Sequence, residues 1–137
     1  MSFGIEAASY YVPSLFLEIK DLAIARNIDP EKLRKGLGLH KMALADVHED
    51  AATFAAEALL KLIIDYKINP KDIGRIYLGT ESALDAAKPT ASYAMQMVEK
   101  VLEKKLGERC FKNCDVVDLT FACVGAVDAL HNCLDFR

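Results

Sequence analysis

The sequence predicts an α/β fold with a mainly parallel sheet, and three observations carry that expectation. Short runs of β-branched and aromatic residues alternate with longer stretches whose apolar residues recur at three-and-four spacing. The run holding Val116, Val117, Leu119 and Phe121 is largely apolar, as a strand covered on both faces must be. Turn residues separate the runs, and no linker, internal repeat or low-complexity tract interrupts them. Strand alternating with helix is the signature of βαβ units on a parallel sheet.

The elements follow in order. Phe3 to Val12 alternates as a first strand, stopped by Pro13. A short helical stretch spans Ile19 to Ala25. Asp29-Pro30 supplies a cap followed by proline at the first helical position, and Gly36 ends that turn. An amphipathic helix runs from Asp50 to Tyr66, with Phe54, Ala58 and Leu62 in line and Ala55, Leu59, Ile63 and Tyr66 beside them. Asn69-Pro70 opens a turn, and Ile76 to Gly79 forms a brief strand. Pro89 begins a second long helix, with Ala94, Met97, Val98, Val101 and Leu102 inward and Gly107 as its stop. After the strand from Val116 to Phe121, Cys123 stands where strand gives way to a helix from Gly125 to about Leu134.

Composition bounds the function. A chain of 137 residues can bury one core, and 53% hydrophobic residues exclude disorder as a default. A formal net charge of -3 leaves no basic footprint for nucleic acid and no polybasic membrane signal. No apolar run approaches the roughly 18 residues that span a bilayer. Met1 to Tyr11 lacks a cationic stretch followed by an apolar core, so no secretory signal is expected and the default compartment is the cytoplasm. There Cys110, Cys114, Cys123 and Cys133 would be thiols. Cys110 and Cys114 have half-site spacing, but Cys123 and Cys133 do not repeat it and His131 pairs with no second histidine, so no metal site is expected.

In parallel α/β sheets reacting groups gather beyond the carboxyl ends of the strands. Glu81 and Cys123 both take such positions, on different strands. A cysteine at a helix start meets unpaired N–H groups and the positive end of the helix dipole, which favour the nucleophilic thiolate and can hold an oxyanion. Gly125 and Ala126 would let a substrate carbonyl approach the backbone. A cysteine in an apolar stretch is also an ordinary core residue, and the residues alone leave both readings open. Glu81 after Gly79-Thr80 is either a partly buried carboxylate that accepts protons or a solvated one. Cys133 lies on the apolar face of the last helix, and Cys110 and Cys114 read as loop residues. Lys41 and Lys88 read as solvated lysines. His40, His48 and His131 read as surface residues and supply no base for Cys123.

The order of several segments resembles 3-hydroxy-3-methylglutaryl-CoA synthases of the thiolase superfamily. Gly4-Ile5-Glu6-Ala7 leading to Tyr11-Val12-Pro13 is similar to the family's opening, as are Asp29-Pro30-Glu31-Lys32, Gly36-Leu37-Gly38 and Lys41-Met42. Glu49-Asp50 resembles its acidic pair before the next helix. Gly79-Thr80-Glu81-Ser82 resembles the segment with its catalytic glutamate, and Ala122-Cys123 with Gly125 the segment with its acylated cysteine. The matches are collinear from Gly4 to about Asn132. They imply a thiolase-like α/β fold, with this chain as part of the first βαβαβ half, an N-terminal piece of a condensing-enzyme domain that lacks the second half. The family's catalytic histidine and its asparagine partner lie in that missing half, so the resemblance implies an incomplete and inactive piece of a homodimeric enzyme, or one needing a complementary chain.

The implied chemistry is acyl transfer in a mevalonate or isoprenoid pathway. Acetyl-CoA would acetylate Cys123, Glu81 would manage protons during condensation with an acetoacetyl thioester, and hydrolysis would release product. CoA thioesters are the substrates, and no tightly bound cofactor is implied. By the same resemblance Lys35, Gly38 and Lys41 would lie near the CoA entrance. Phe121, Val124 and Ala126 replace residues common in the family, and Lys88-Pro89-Thr90-Ala91 is closer to its archaeal-type branch, so the acceptor could be carried by CoA or by a carrier protein. Two alternatives differ in class. A β-ketoacyl-carrier-protein synthase III-like enzyme shares the strand-end cysteine but lacks a glutamate at the position of Glu81. A non-catalytic half-subunit would pair with a complementary chain. A small self-contained α/β binding domain is the plainest reading.

Overall fold

The computed structural model describes residues 4–136, which divide into two compact units, one of residues 12–49 and one of residues 4–11 with 50–136.

In the smaller unit, β1 (Leu15–Glu18) pairs antiparallel with β2 (Lys41–Leu44), Leu15 opposite Leu44 and Glu18 opposite Lys41. Between them run α1 (Ile19–Ala25) and α2 (Pro30–Leu37). α1 has the expected bounds. α2 starts as expected: the Asp29 carboxylate accepts from the Glu31 amide at 3.0 Å, and Pro30 takes the first position, where no amide hydrogen is needed. Its end differs. Gly36 lies inside the helix, and Gly38, at φ 68°, makes the left-handed stop. The antiparallel pair was not expected. The strand anticipated at Phe3–Val12 is absent from its described part, 4–12, because no neighbouring strand completes a ladder with it; Phe3 lies outside the described residues.

The larger unit carries the βαβ motif. α3 (Ala51–Tyr66) opens with a reciprocal cap, in which Asp50 accepts from the Thr53 amide at 2.8 Å and the Thr53 hydroxyl accepts from the Asp50 amide at 2.7 Å. A single 3-10 turn at Pro70–Asp72 leads into β3 (Arg75–Gly79). α4 (Thr90–Leu106) crosses over to β4 (Asp115–Leu119), which lies parallel to β3 with Arg75 opposite Asp115 and Gly79 opposite Leu119. Arg75 and Asp115 also join the strand starts by an ion pair at 2.6 Å. α5 (Gly125–Asp135) packs back on both strands. This is an α/β arrangement of the kind the strand–helix alternation predicts.

The core of this unit is formed by Ala56 and Ile63 of α3, Ala94, Val98 and Leu102 of α4, and Cys110 and Phe111 of the following turn. The buried line of α3 is Ala52, Ala56 and Ile63, beside the line expected from Phe54, and Phe54 instead meets the Tyr11 ring at 5.7 Å. On α4 the expected Val101 faces solvent, because Ala91, Ala94, Val98 and Leu102 already fill the inward stripe. Phe121 is 70% exposed and lies past the end of β4. Cys110 lies in the turn after α4, outside any helix or strand as expected, but it has no exposed surface and belongs to the core. Cys133, expected to pack, is exposed.

Candidate active site

The register of β3 and β4 brings their carboxyl ends side by side. The Thr80 amide donates to the Leu119 carbonyl at 3.1 Å, which extends the pairing one residue beyond β3. Glu81 follows, steadied by the Ser82 amide donating to the Thr80 hydroxyl at 3.0 Å. On the neighbouring exit the chain makes one 3-10 turn, Ala122–Val124, before α5. The Phe121 carbonyl accepts from the amides of Val124 and Gly125 at 3.1 and 2.9 Å, closing this turn. Ala122 is held at φ 42°, a left-handed conformation that a residue with a Cβ adopts at a cost of about 1–2 kcal/mol. That strained residue directly precedes Cys123 and turns its side chain toward β3. The Cys123 thiol donates to Glu81 Oε1 at 2.9 Å, across 42 positions of sequence.

Two glycines make this approach possible. A Cβ on Gly79 would collide with the backbone of Gly125 and Ala126, and a Cβ on Gly125 would strike the Leu119 carbonyl oxygen. The start of α5 therefore lies directly on the end of the sheet, backbone against backbone. Glu81 lies two residues after one glycine and Cys123 two residues before the other, so their separation is set by this contact. The space expected at Gly125 for a substrate carbonyl is filled by the chain's own Leu119, and Gly125 is buried.

The electrostatics also differ from expectation. Cys123 precedes α5 in a separate turn, and its strongest neighbour is the carboxylate rather than the helix dipole. The hydrogen bond to Glu81, then the carboxylate's negative charge, push the Cys123 thiol above the ordinary cysteine range. The thiol is thus held protonated with an acceptor already on its hydrogen. Such a pair can transfer that proton as sulfur attacks an electrophile, the arrangement required of an activated nucleophile. Both side chains are exposed, so of the two readings open for Glu81 the structure has the solvated carboxylate. Burial followed by the Glu99 charge raises the Cys110 thiol, and burial followed by the Asp115 charge raises that of Cys114.

The other candidates lie apart from this pair in the chain. Lys35, Gly38 and Lys41 belong to the 12–49 unit. Lys35 pairs with Glu31 at 3.2 Å, and Lys41 pairs with Glu18 at 3.2 Å while lying 4.0 Å over the Phe16 ring. His40, His48 and His131 are exposed. Among the described residues, no group of three or more His, Cys, Asp and Glu side chains converges as a metal site, and no helix is long and apolar enough to cross a membrane. A groove of about 570 Å³ between α3 and α4, lined by Leu60, Leu84, Met97 and Val101, contains neither Glu81 nor Cys123. The strain at Ala122 is not legible in the sequence, and only the pairing of Gly79 with Gly125 at the two strand ends announces the close contact.

Comparison with known proteins places this geometry in a family. The model described as hydroxymethylglutaryl-coenzyme A synthase N terminal matches residues 1–137. A hydroxymethylglutaryl-CoA synthase of Haloferax volcanii is 36% identical over 132 residues, covering 96% of this chain and 28% of the relative. The solved structure of MvaS in complex with 3-hydroxy-3-methylglutaryl coenzyme A superimposes with a TM-score of 0.81 at 34% identity, covering 98% of this chain and 30% of that one. The 3-oxoacyl-[acyl-carrier-protein] synthase III of Aquifex aeolicus superimposes with a TM-score of 0.80 at 20% identity over 98% of this chain and 40% of that one, a likeness of fold alone. The chain thus spans roughly a third of the length of the relatives it matches, and its fold is thiolase-like.

Proposed function

Since the chain belongs to the hydroxymethylglutaryl-CoA synthase family, matching its N-terminal region, we propose that it carries the nucleophile and proton-transfer residue of an acyl-CoA condensation. The observation that carries this reading is the 2.9 Å hydrogen bond from the Cys123 thiol to Glu81.

In this reading Cys123 Sγ attacks the carbonyl of acetyl-CoA. The thiol proton passes to Glu81, and CoA leaves as its thiol when that proton is returned, which yields an acetyl-cysteine. Glu81 then takes a proton from the acetyl methyl group. The resulting enolate carbon bonds to the ketone carbon of an acetoacetyl thioester, whose oxygen gains a proton. Water cleaves the enzyme thioester, releasing the product and restoring the thiol. Of the 122–125 turn, the amides of Ala122 and Cys123, which do not bond to Phe121, are suited to hold the oxyanion. Lys35, Gly38 and Lys41 are proposed CoA contacts, two cations and a glycine turn matched to a phosphate-bearing carrier. The reading requires no metal or tightly held cofactor. It extends to a cytoplasmic, homodimeric enzyme at the relatives' full length. The bound 3-hydroxy-3-methylglutaryl coenzyme A of MvaS supports CoA thioesters as the substrate class. The carboxylate beside the thiol favours this chemistry over that of a synthase III.

The test is mass spectrometry after incubation with acetyl-CoA, on this chain and on a chain of the relatives' full length. One acetyl group mapped to Cys123 in the longer chain, and lost in Cys123→Ala, is the expected result. A full-length chain that turns over acetyl-CoA with Cys123 unmodified and replaceable would overturn the reading.

A further inference from the structure

β4 holds the segment that carries Glu81 at both of its ends. At the near end the Leu119 carbonyl accepts the Thr80 amide. At the far end Asp118, the preceding residue of β4, accepts the amides of Thr90 and Ala91 at 2.5 and 2.9 Å. Pro89 precedes α4 and offers no side-chain cap, so the helix takes its cap from a strand 28 positions away. A carboxylate there satisfies orphan amides and meets the positive end of a 17-residue helix. Thr90 is fully buried, and its hydroxyl accepts the Leu84 amide at 3.0 Å. The loop from Glu81 to Pro89 is otherwise exposed over residues 81–88. Leu84 ties it to the buried Thr90, and the next residue, Asp85, accepts from the Tyr93 hydroxyl of α4 at 3.0 Å. The same strand, β4, also leads into the turn that delivers Cys123.

We propose that Thr90 and Asp118 are positioning residues for Glu81, holding its carboxylate against the Cys123 thiol through the Leu84 amide. The proposal rests on the reading of Glu81 as the partner of Cys123. Neither residue touches the reacting atoms. Asp118 locates the first turn of α4, Thr90 relays that location to Leu84, and the three residues from Glu81 to Ala83 span the remaining distance to the Thr80–Leu119 bond.

The test is the pH midpoint of iodoacetamide alkylation at Cys123, read by peptide mass spectrometry, in Thr90→Val, Thr90→Ser and Glu81→Gln chains. Thr90→Val keeps the shape and the backbone cap to Asp118 but removes the hydroxyl acceptor. Its midpoint is expected to fall by at least half of the fall seen in Glu81→Gln, with Thr90→Ser restoring the original value. A merely structural Thr90 would lower the melting temperature of the valine variant and leave the midpoint where it was. That outcome, with Glu81→Gln shifted, overturns the positioning role and leaves the Glu81–Cys123 couple intact. An unshifted Glu81→Gln overturns both. Should Thr90→Val not fold by circular dichroism, Asp118→Asn, which keeps the shape and one acceptor, is read in the same way: a lowered midpoint supports the proposal and an unchanged one overturns it.

Discussion

Replacing Gly79 by alanine tests how the reactive pair is assembled. The added methyl would overlap the Gly125 carbonyl group and the Ala126 amide, which are backbone atoms and cannot rotate away. Restoring ordinary separations of about 3.5 Å between heavy atoms requires α5 to withdraw by on the order of 1 Å. Overpacking that side chains can absorb costs about 1–3 kcal/mol, and backbone against backbone belongs at or above the upper end, about 3 kcal/mol. With a urea slope of about 2 kcal/mol/M, the unfolding midpoint should fall by about 1.5 M. The withdrawal also lengthens the 2.9 Å hydrogen bond from Cys123 to Glu81 by on the order of 1 Å, which weakens it. Urea titration by circular dichroism reads the first effect, and the pH dependence of Cys123 alkylation reads the second, which should move to lower pH. Gly36→Ala is the control, since a Cβ there meets nothing and the residue lies within α2; it should stabilise by about 0.5–1 kcal/mol. A Gly79→Ala chain that melts with the wild type and alkylates at the same pH would refute the account of the contact.

Three further outcomes are expected. Because the Glu81 carboxylate raises the Cys123 thiol, Glu81→Gln should let the thiolate form, and iodoacetamide react, at lower pH, while Cys110 stays unreactive until the chain unfolds. Asp50→Ala removes one side of the reciprocal cap on α3 and should cost about 1 kcal/mol, measured by thermal unfolding. Lys67 ends α3 at φ 54°, so Lys67→Gly should raise stability by about 1 kcal/mol, an increase that a urea midpoint resolves.

What could be read in the sequence was local. Asp29-Pro30 and Asp50 announce helix starts by side-chain chemistry that acts within three residues, and α2 and α3 begin where those residues place them. β3, α4 and β4 follow from apolar runs bounded by glycine and proline. The positions of Glu81 and Cys123 beyond adjoining strands were legible for the same reason. β2 was not, since Lys41-Met42-Ala43-Leu44 has no strong strand preference and exists by pairing with Leu15–Glu18. The raised thiol was missed because the helix start was visible in sequence while the carboxylate 42 positions away was not yet a neighbour. The burial of Cys110 was not legible because the turn around it lacks periodicity, although three-dimensional packing places it in one cluster with Val98 and Leu102.

The parallel pairing of β3 with β4 has a kinetic consequence. Gly79 and Leu119 can meet only after a loop of about 40 residues closes, and parallel strands cannot shorten that path with a hairpin. Contacts of such long sequence separation form slowly compared with helices. The thiol of Cys123 therefore acquires its carboxylate neighbour only when that closure is complete, whereas α3 and α4 can gain helix earlier. During refolding, the rate at which this thiol changes its reactivity becomes a clock for the docking of the two strands, carried by the chain's own side chain.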